Sequence, residues 1–195
     1  MGGQSTRGGR RLPPVLLIMM IVYHVVTERP MAVGQKIVFD GNHPNGVCLR
    51  VRAWEKISRG EAVDDEVGAL IASNPGRWQQ VALRELAMEK VRLERFPHLP
   101  SRLACLYTSR TLEEARSWAG FFRKLGRKVF SVVRLEVNGN VFDGDACNCF
   151  DGVGDETDLE NALRYWQNAP TEHPVIETLA DGEITVCEII ENYLE

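Results

Sequence analysis

The chain has 195 residues, 44% of them hydrophobic, with 23 basic and 27 acidic side chains giving a formal net charge of −4. That length buries one good core and argues against several domains. The acidic balance excludes an evenly basic nucleic-acid binder, although a local basic patch still suffices for that role. Five scattered cysteines (48, 105, 147, 149 and 187) are odd in number, and reduced thiols in a cytoplasmic protein explain them better than a disulfide framework does.

The N-terminus carries Arg7, Arg10 and Arg11 ahead of an apolar run from Val15. No small-residue cleavage site follows, and the run falls short of the roughly 20 apolar residues that span a bilayer. Residues 1–14 are therefore read as a disordered leader and 15–195 as one domain without membrane partners, with Met19 or Met20 as alternative starts. Residues 16–26 are branched and apolar, as in a strand buried on both faces, and include His24. Short strands are expected at 36–39 and 47–51, around a turn containing Asn45-Gly46. A weak helix over 64–72 ends at Asn74-Pro75-Gly76. A long helix over 78–96 carries Leu83, Leu86, Ala87, Val91 and Leu93 as its core stripe, with Arg84, Lys90, Arg92 and Arg95 read either as a basic strip for nucleic acid or, in the plainer reading, as a solvated face paired with Glu85, Glu89 and Glu94.

Residues 103–107 read as a short buried strand, followed by Thr108-Ser109 and a helix entered through Thr111, which stands at capping-box spacing from Glu114. An aromatic hydroxyl thus sits where a strand stops and a helix starts, a place that offers backbone donors to an anion and also serves as a plain packing corner. Residues 128–137 alternate as a strand, Asn138-Gly139 turns it, and Val141-Phe142 is its expected returning partner. After a Gly- and Asp-rich loop, Thr157 and Glu160 repeat the capping-box spacing. Strands at 177–180 and 183–190 are joined by Asp181-Gly182. Without regular βαβ alternation, the fold class is α+β with mostly antiparallel short strands.

Phosphate-loop and nucleophile-elbow motifs are absent. Cys147-Asn148-Cys149 with His173 lacks the second ligand pair of a zinc site, and no metal is expected. By default His24 is a histidine satisfied by a backbone carbonyl, Tyr107 a core aromatic and Glu177 a solvated strand end. Their order along the chain suggests more.

A histidine in the first strand, a tyrosine ending a strand before a helix and a glutamate opening a late strand resemble the His-Tyr-Glu branch of the ADP-ribosyltransferase superfamily. The segment Pro-Ser-Arg-x-Ala-Cys-Leu-Tyr, here ending at Tyr107, is also similar to that of an uncharacterised bacterial family. The resemblance implies two packed antiparallel sheets flanked by helices, with NAD as substrate. It further implies transfer of ADP-ribose to a macromolecular acceptor, protein or nucleic acid, in the setting of a bacterial or phage toxin or defence effector with an antitoxin or regulatory partner. Glu177 would be the catalytic carboxylate, with Glu188 and Glu183 in reserve. Tyr107 would stack on nicotinamide, His24 would bond a ribose hydroxyl, Thr108 and Ser109 would add polar contacts, and Arg29 or Arg102 would clamp the pyrophosphate. Chemically the trio suits cleavage of a glycosidic bond, since a fixed carboxylate favours the oxocarbenium-like transition state over the ground state. The alternatives are a noncatalytic nucleotide- or protein-binding module on the same fold and an NAD glycohydrolase.

Overall fold

The computed structural model describes residues 19–193; the expected leader and the start of the apolar run lie outside them. The fold is α+β, with two antiparallel sheets and five α-helices among the described residues. The elements in order are β1 (Met20–Val26), β2 (Lys36–Phe39), α1 (Gly46–Ser58), α2 (Asp65–Ser73), α3 (Pro75–Arg95), β3 (Leu106–Thr108), α4 (Leu112–Lys124), β4 (Ser131–Asn138), β5 (Val141–Asp145), α5 (Glu156–Trp166), β6 (Ile176–Ala180) and β7 (Gly182–Asn192). No helix among the described residues is long and apolar enough to cross a membrane.

The sheets run β1-β4-β7-β2 and β3-β6-β5. Val22, Val26, Leu135, Ile184 and Val186 of the larger sheet pack against Ala180, Leu106 and Val141 of the smaller one. Alternation along each strand sends the other side chains outward. Val25 and Val132 meet Ala115 and Ala119 of α4, while Leu179 meets Met88 of α3 and Tyr165 of α5. The layers are therefore α4, four-stranded sheet, three-stranded sheet, and α3 with α5. The sheets touch at one edge, where Tyr23 and Ser109 exchange two backbone hydrogen bonds of 2.8 Å.

Several local expectations change in three dimensions. Residues 47–51 are helical, because Asn45, read as a turn residue, is the N-cap of α1 and accepts from the Cys48 amide at 3.1 Å. Val47 and Val51 also stand at helical i, i+4 spacing, so the apolar pattern fits both states. The helix expected over 78–96 begins at Pro75, and Asn74 both ends α2 and caps α3. On α3, Leu93 is exposed while Glu85 and Arg92 are buried. The N-cap of α5 is Asp155 rather than Thr157.

The hairpin expectations fail in a related way. β5 pairs with β6 rather than β4, and the turn after β6 leads into the other sheet. At both turns the chain crosses between sheets, and the turns lock together: Asn140 donates its amide to Asp181 Oδ1 at 2.8 Å, and the Asp181 amide donates to the Asn140 carbonyl at 3.0 Å. Gly139 and Gly182 permit this approach. A Cβ on Gly139 would overlap the Asp181 carbonyl, and one on Gly182, where φ is +82°, would overlap that of Asn138.

Candidate functional site

The residues with the most unusual environment lie between the small sheet and the helices beyond it. Tyr107 of β3 stands opposite Leu179 of β6, so Tyr107, Leu179 and, two residues along, Glu177 share the face turned toward α3 and α5. Arg102, from the segment after α3, enters this layer with its guanidinium over two rings, 5.3 Å from the centroid of Tyr107 and 4.8 Å from that of Tyr165.

Arg102 organises the charges there. Its Nε donates to Glu85 Oε2 at 2.9 Å, its Nη2 to Glu85 Oε1 at 3.3 Å, and its Nη1 to both the Tyr165 hydroxyl at 2.7 Å and the Glu177 carboxylate. The Tyr165 hydroxyl in turn donates to Glu177 Oε1 at 2.9 Å, and Arg84 donates to Glu85 at 3.0 Å. The Arg102 side chain is only 6% exposed, Glu85 1% and Glu177 13%. Two arginines and two glutamates thus cancel within one buried network, the condition under which such charges are tolerated in a core.

Burial alone would lower the pKa of Arg102, but Glu177 and Glu85 outweigh it and hold the group well above the ordinary arginine range. For Glu85, burial pushes the carboxyl up, and Arg102 with Arg84 brings it below the usual value. Burial also drives the Tyr107 and Tyr165 phenols well above the usual range, so both are neutral donors. The Tyr107 hydroxyl donates to the Arg102 carbonyl at 3.0 Å, and Asn45 Nδ2 donates to that carbonyl at 2.8 Å and to that of Cys105 at 3.0 Å. The cap of α1 therefore also fixes the loop that aims Arg102.

His24 approaches from the other side of β3. It shares the inter-sheet face of β1 with Val22 and Val26, and its Nδ1 lies 2.8 Å from the Tyr107 carbonyl. A carbonyl only accepts, so Nδ1 carries the proton and Nε2 presents a lone pair. Burial lowers the His24 pKa and so favours the neutral ring, outweighing the hydrogen bond to Tyr107 and the nearby Glu28 charge, which both raise it.

The structure thus joins Glu177 to the Tyr107 ring through Arg102, while His24 touches Tyr107 through its backbone alone. Thr108 spends its hydroxyl on the Thr178 carbonyl at 2.9 Å, Ser109 forms the backbone join to Tyr23, and Arg29 is exposed in the loop after β1. Glu183 pairs with Lys36 at 2.9 Å and Glu188 lies 3.9 Å from Arg134, both on β7 of the larger sheet. Cys147 Sγ donates to the His173 carbonyl at 3.3 Å, whereas Cys149 turns inward to Glu177 at 3.9 Å.

The N-terminus of α4 is closed by its own residues. Glu114 Oε2 accepts from the Arg110 and Thr111 amides, each at 3.1 Å, and Thr111 Oγ1 accepts from the Glu114 amide at 3.2 Å. The backbone donors expected there for an anion are engaged. Beside this corner lies an open cleft of about 540 Å³ lined by Arg110, Asp143, Asp145 and Thr171, in which Arg110 grips both Asp143 oxygens at 2.8 and 2.9 Å. It lies on the Thr178 side of the small sheet, where Thr178 donates to Asp143 at 2.8 Å, opposite the side that carries Tyr107 and Glu177.

The sequence named Arg102 as a pyrophosphate clamp but not as the centre of a buried charge network, and it assigned no such place to Glu85 or Tyr165. A signal existed for Glu85: it stands at helical spacing between Ala82 and Met88, so it interrupts a buried stripe with a charge that demands a partner. The model of a protein family of unknown function, DUF2441, matches residues 22–192, from the third residue of β1 to the end of β7. No curated protein matches the chain.

Proposed function

This chain belongs to the DUF2441 family of proteins of unknown function, and for it we propose an NAD-dependent mono-ADP-ribosyltransferase acting on a macromolecular acceptor. The observation that carries the reading is the convergence of three distant segments. His24 contacts the Tyr107 backbone at 2.8 Å, and Glu177 is joined to the Tyr107 ring through Arg102. In the proposed reaction the bond between the ribose anomeric carbon and the nicotinamide nitrogen breaks, its electron pair leaves with nicotinamide, and an acceptor nucleophile bonds to the same carbon as its proton passes to the Glu177 carboxylate. Glu177 stabilises the oxocarbenium character that develops. Tyr107 stacks on the leaving ring, and His24, on the other side of β3, holds the Tyr107 backbone in place rather than reaching the ribose. Substrate entry requires Arg102 to exchange Glu177 for the pyrophosphate, a bidentate partner of matching charge.

A second reading, a noncatalytic nucleotide-binding module on the same fold, is favoured by the burial of Glu177 against Arg102 and Tyr165. Nicotinamide release from NAD, measured with and without cell lysate, separates the two. Transfer predicts lysate-dependent release that falls about a hundredfold or more in Glu177→Gln. NAD-induced thermal stabilisation without release assigns the binding module. Free ADP-ribose without lysate assigns a glycohydrolase, and neither binding nor release sinks all three.

A further inference from the structure

At the C-terminal end of α4, away from the charge network, a second open cleft of about 620 Å³ is lined by Arg123, Arg127, Lys128 and Tyr193. Its sequence is Arg-Lys-Leu-Gly-Arg-Lys over 123–128, four cations in six residues of a chain whose net charge is −4. Favourable interaction with the negative end of α4 explains Arg123 and Lys124, which lie in its last turn. It does not explain Arg127 and Lys128. These follow Gly126, which reverses the chain at φ +73°, and they return alongside the helix end.

All three cleft cations are held against aromatic rings. Arg123 lies 5.3 Å from the Tyr193 centroid, Arg127 4.5 Å from Phe122 and Lys128 4.7 Å from Phe130. Arg127 also donates to Thr27 Oγ1 at 3.2 Å. None of the three joins an ion pair among the described residues; the nearby carboxylate of Glu191 is taken by Arg116 at 2.6 Å and by the Tyr193 hydroxyl at 2.5 Å. Phe121, whose ring lies 6.1 Å from that of Phe122, the ring beneath Arg127, is 49% exposed, and Leu125 one turn on is 61% exposed. Ordered cations without carboxylate partners among the described residues, close to an exposed phenylalanine, match a polyanion whose monomers also carry rings.

We propose that this face binds single-stranded nucleic acid, with Arg123, Arg127 and Lys128 on consecutive phosphates and Phe121 offering a stacking surface. An open cleft suits a flexible strand, whereas a duplex groove is read by an inserted helix or ribbon. The binding is independent of the ADP-ribosyl reading and needs no NAD.

The test is fluorescence anisotropy of the full chain with a labelled mixed-sequence single strand of about twelve nucleotides. Three phosphate contacts predict an affinity loss of roughly twentyfold between about 50 and about 200 mM salt. The triple variant Arg123→Gln/Arg127→Gln/Lys128→Gln should lose most of the binding and nearly all of that salt dependence. Arg123→Lys/Arg127→Lys should keep the salt dependence, since it preserves charge. Circular dichroism establishes that each variant is folded, and the single variant Lys128→Glu replaces the triple one if that fails to fold. Absence of binding at low salt, binding unchanged in the charge-removing variants, or stronger binding of polyglutamate than of the oligonucleotide would overturn the proposal, the last in favour of an acidic protein partner.

Discussion

Arg102 and Glu177 meet inside the protein, side chains 6% and 13% exposed, although 75 residues apart in sequence and on different elements. The pair joins the loop after α3 to the small sheet, and through Glu85 it ties both to α3 itself. Removing the cation leaves Glu177 without an ion-pair partner among the described residues and Glu85 with Arg84 alone. Arg102→Leu should therefore cost about 3–5 kcal/mol of stability, whereas breaking the exposed Lys36–Glu183 pair should cost under about 1 kcal/mol. Urea midpoints of the two variants measure the contrast, and equal shifts would refute it.

Acid should destabilise the protein in two steps. His24 titrates below its ordinary 6.5 in the folded chain, so the folded state binds fewer protons than the unfolded one. Its contribution is present above pH 6.5 and is lost as pH falls from there through the folded value. The same sign holds for Glu85, whose folded pKa lies below 4.5, so its contribution begins to be lost only below pH 4.5. In denaturation midpoints collected from neutral pH downward, His24→Gln should flatten the first step and leave the second, while Glu85→Gln should leave the first and shrink the second, to which Asp145 also contributes.

Asn45 serves two structures at once, capping α1 and satisfying the Arg102 and Cys105 carbonyls. Asn45→Ala should cost about 2–4 kcal/mol, from the lost cap, the lost donor to the Cys105 carbonyl and the loss of one of two donors to the Arg102 carbonyl, which keeps the Tyr107 hydroxyl. Asn45→Asp keeps the cap but places a charge against both carbonyls, and should be at least as damaging. A variant Asp chain as stable as the natural one would show that only the cap matters.

Gly139 and Gly182 sit where the two crossovers touch, and neither site accommodates a Cβ. Gly139→Ala and Gly182→Ala should each cost roughly 1–3 kcal/mol. Gly120→Ala, in the middle of α4 with open space around it, should instead stabilise by several tenths of a kcal/mol. Thermal melts of the three variants check the order.

Local chemistry determined much of this protein. The Thr111–Glu114 capping box forms as its spacing requires, the helix from Leu112 buries its apolar face, and the strand around Glu177 falls within a residue of where the pattern puts it, whereas the strand expected over 103–107 is shorter and begins only at Leu106. These features depend on neighbours within a few positions, and a sequence contains those in full. Partner choice does not reduce to neighbours. Residues 138–141 and 180–183 look like hairpin turns, yet each carries the chain into the other sheet, because the two turns bond to one another across 41 positions. Strand alternation likewise shows that Tyr107 and Glu177 share a face, but which layer covers that face depends on how the sheets stack. Tertiary structure alone decided that the covering layer is α3 and α5, and that Glu85, Arg102 and Tyr165 close around Glu177. A buried charge takes whichever opposite charge the fold brings within reach, and no spacing in the sequence specifies which one that is.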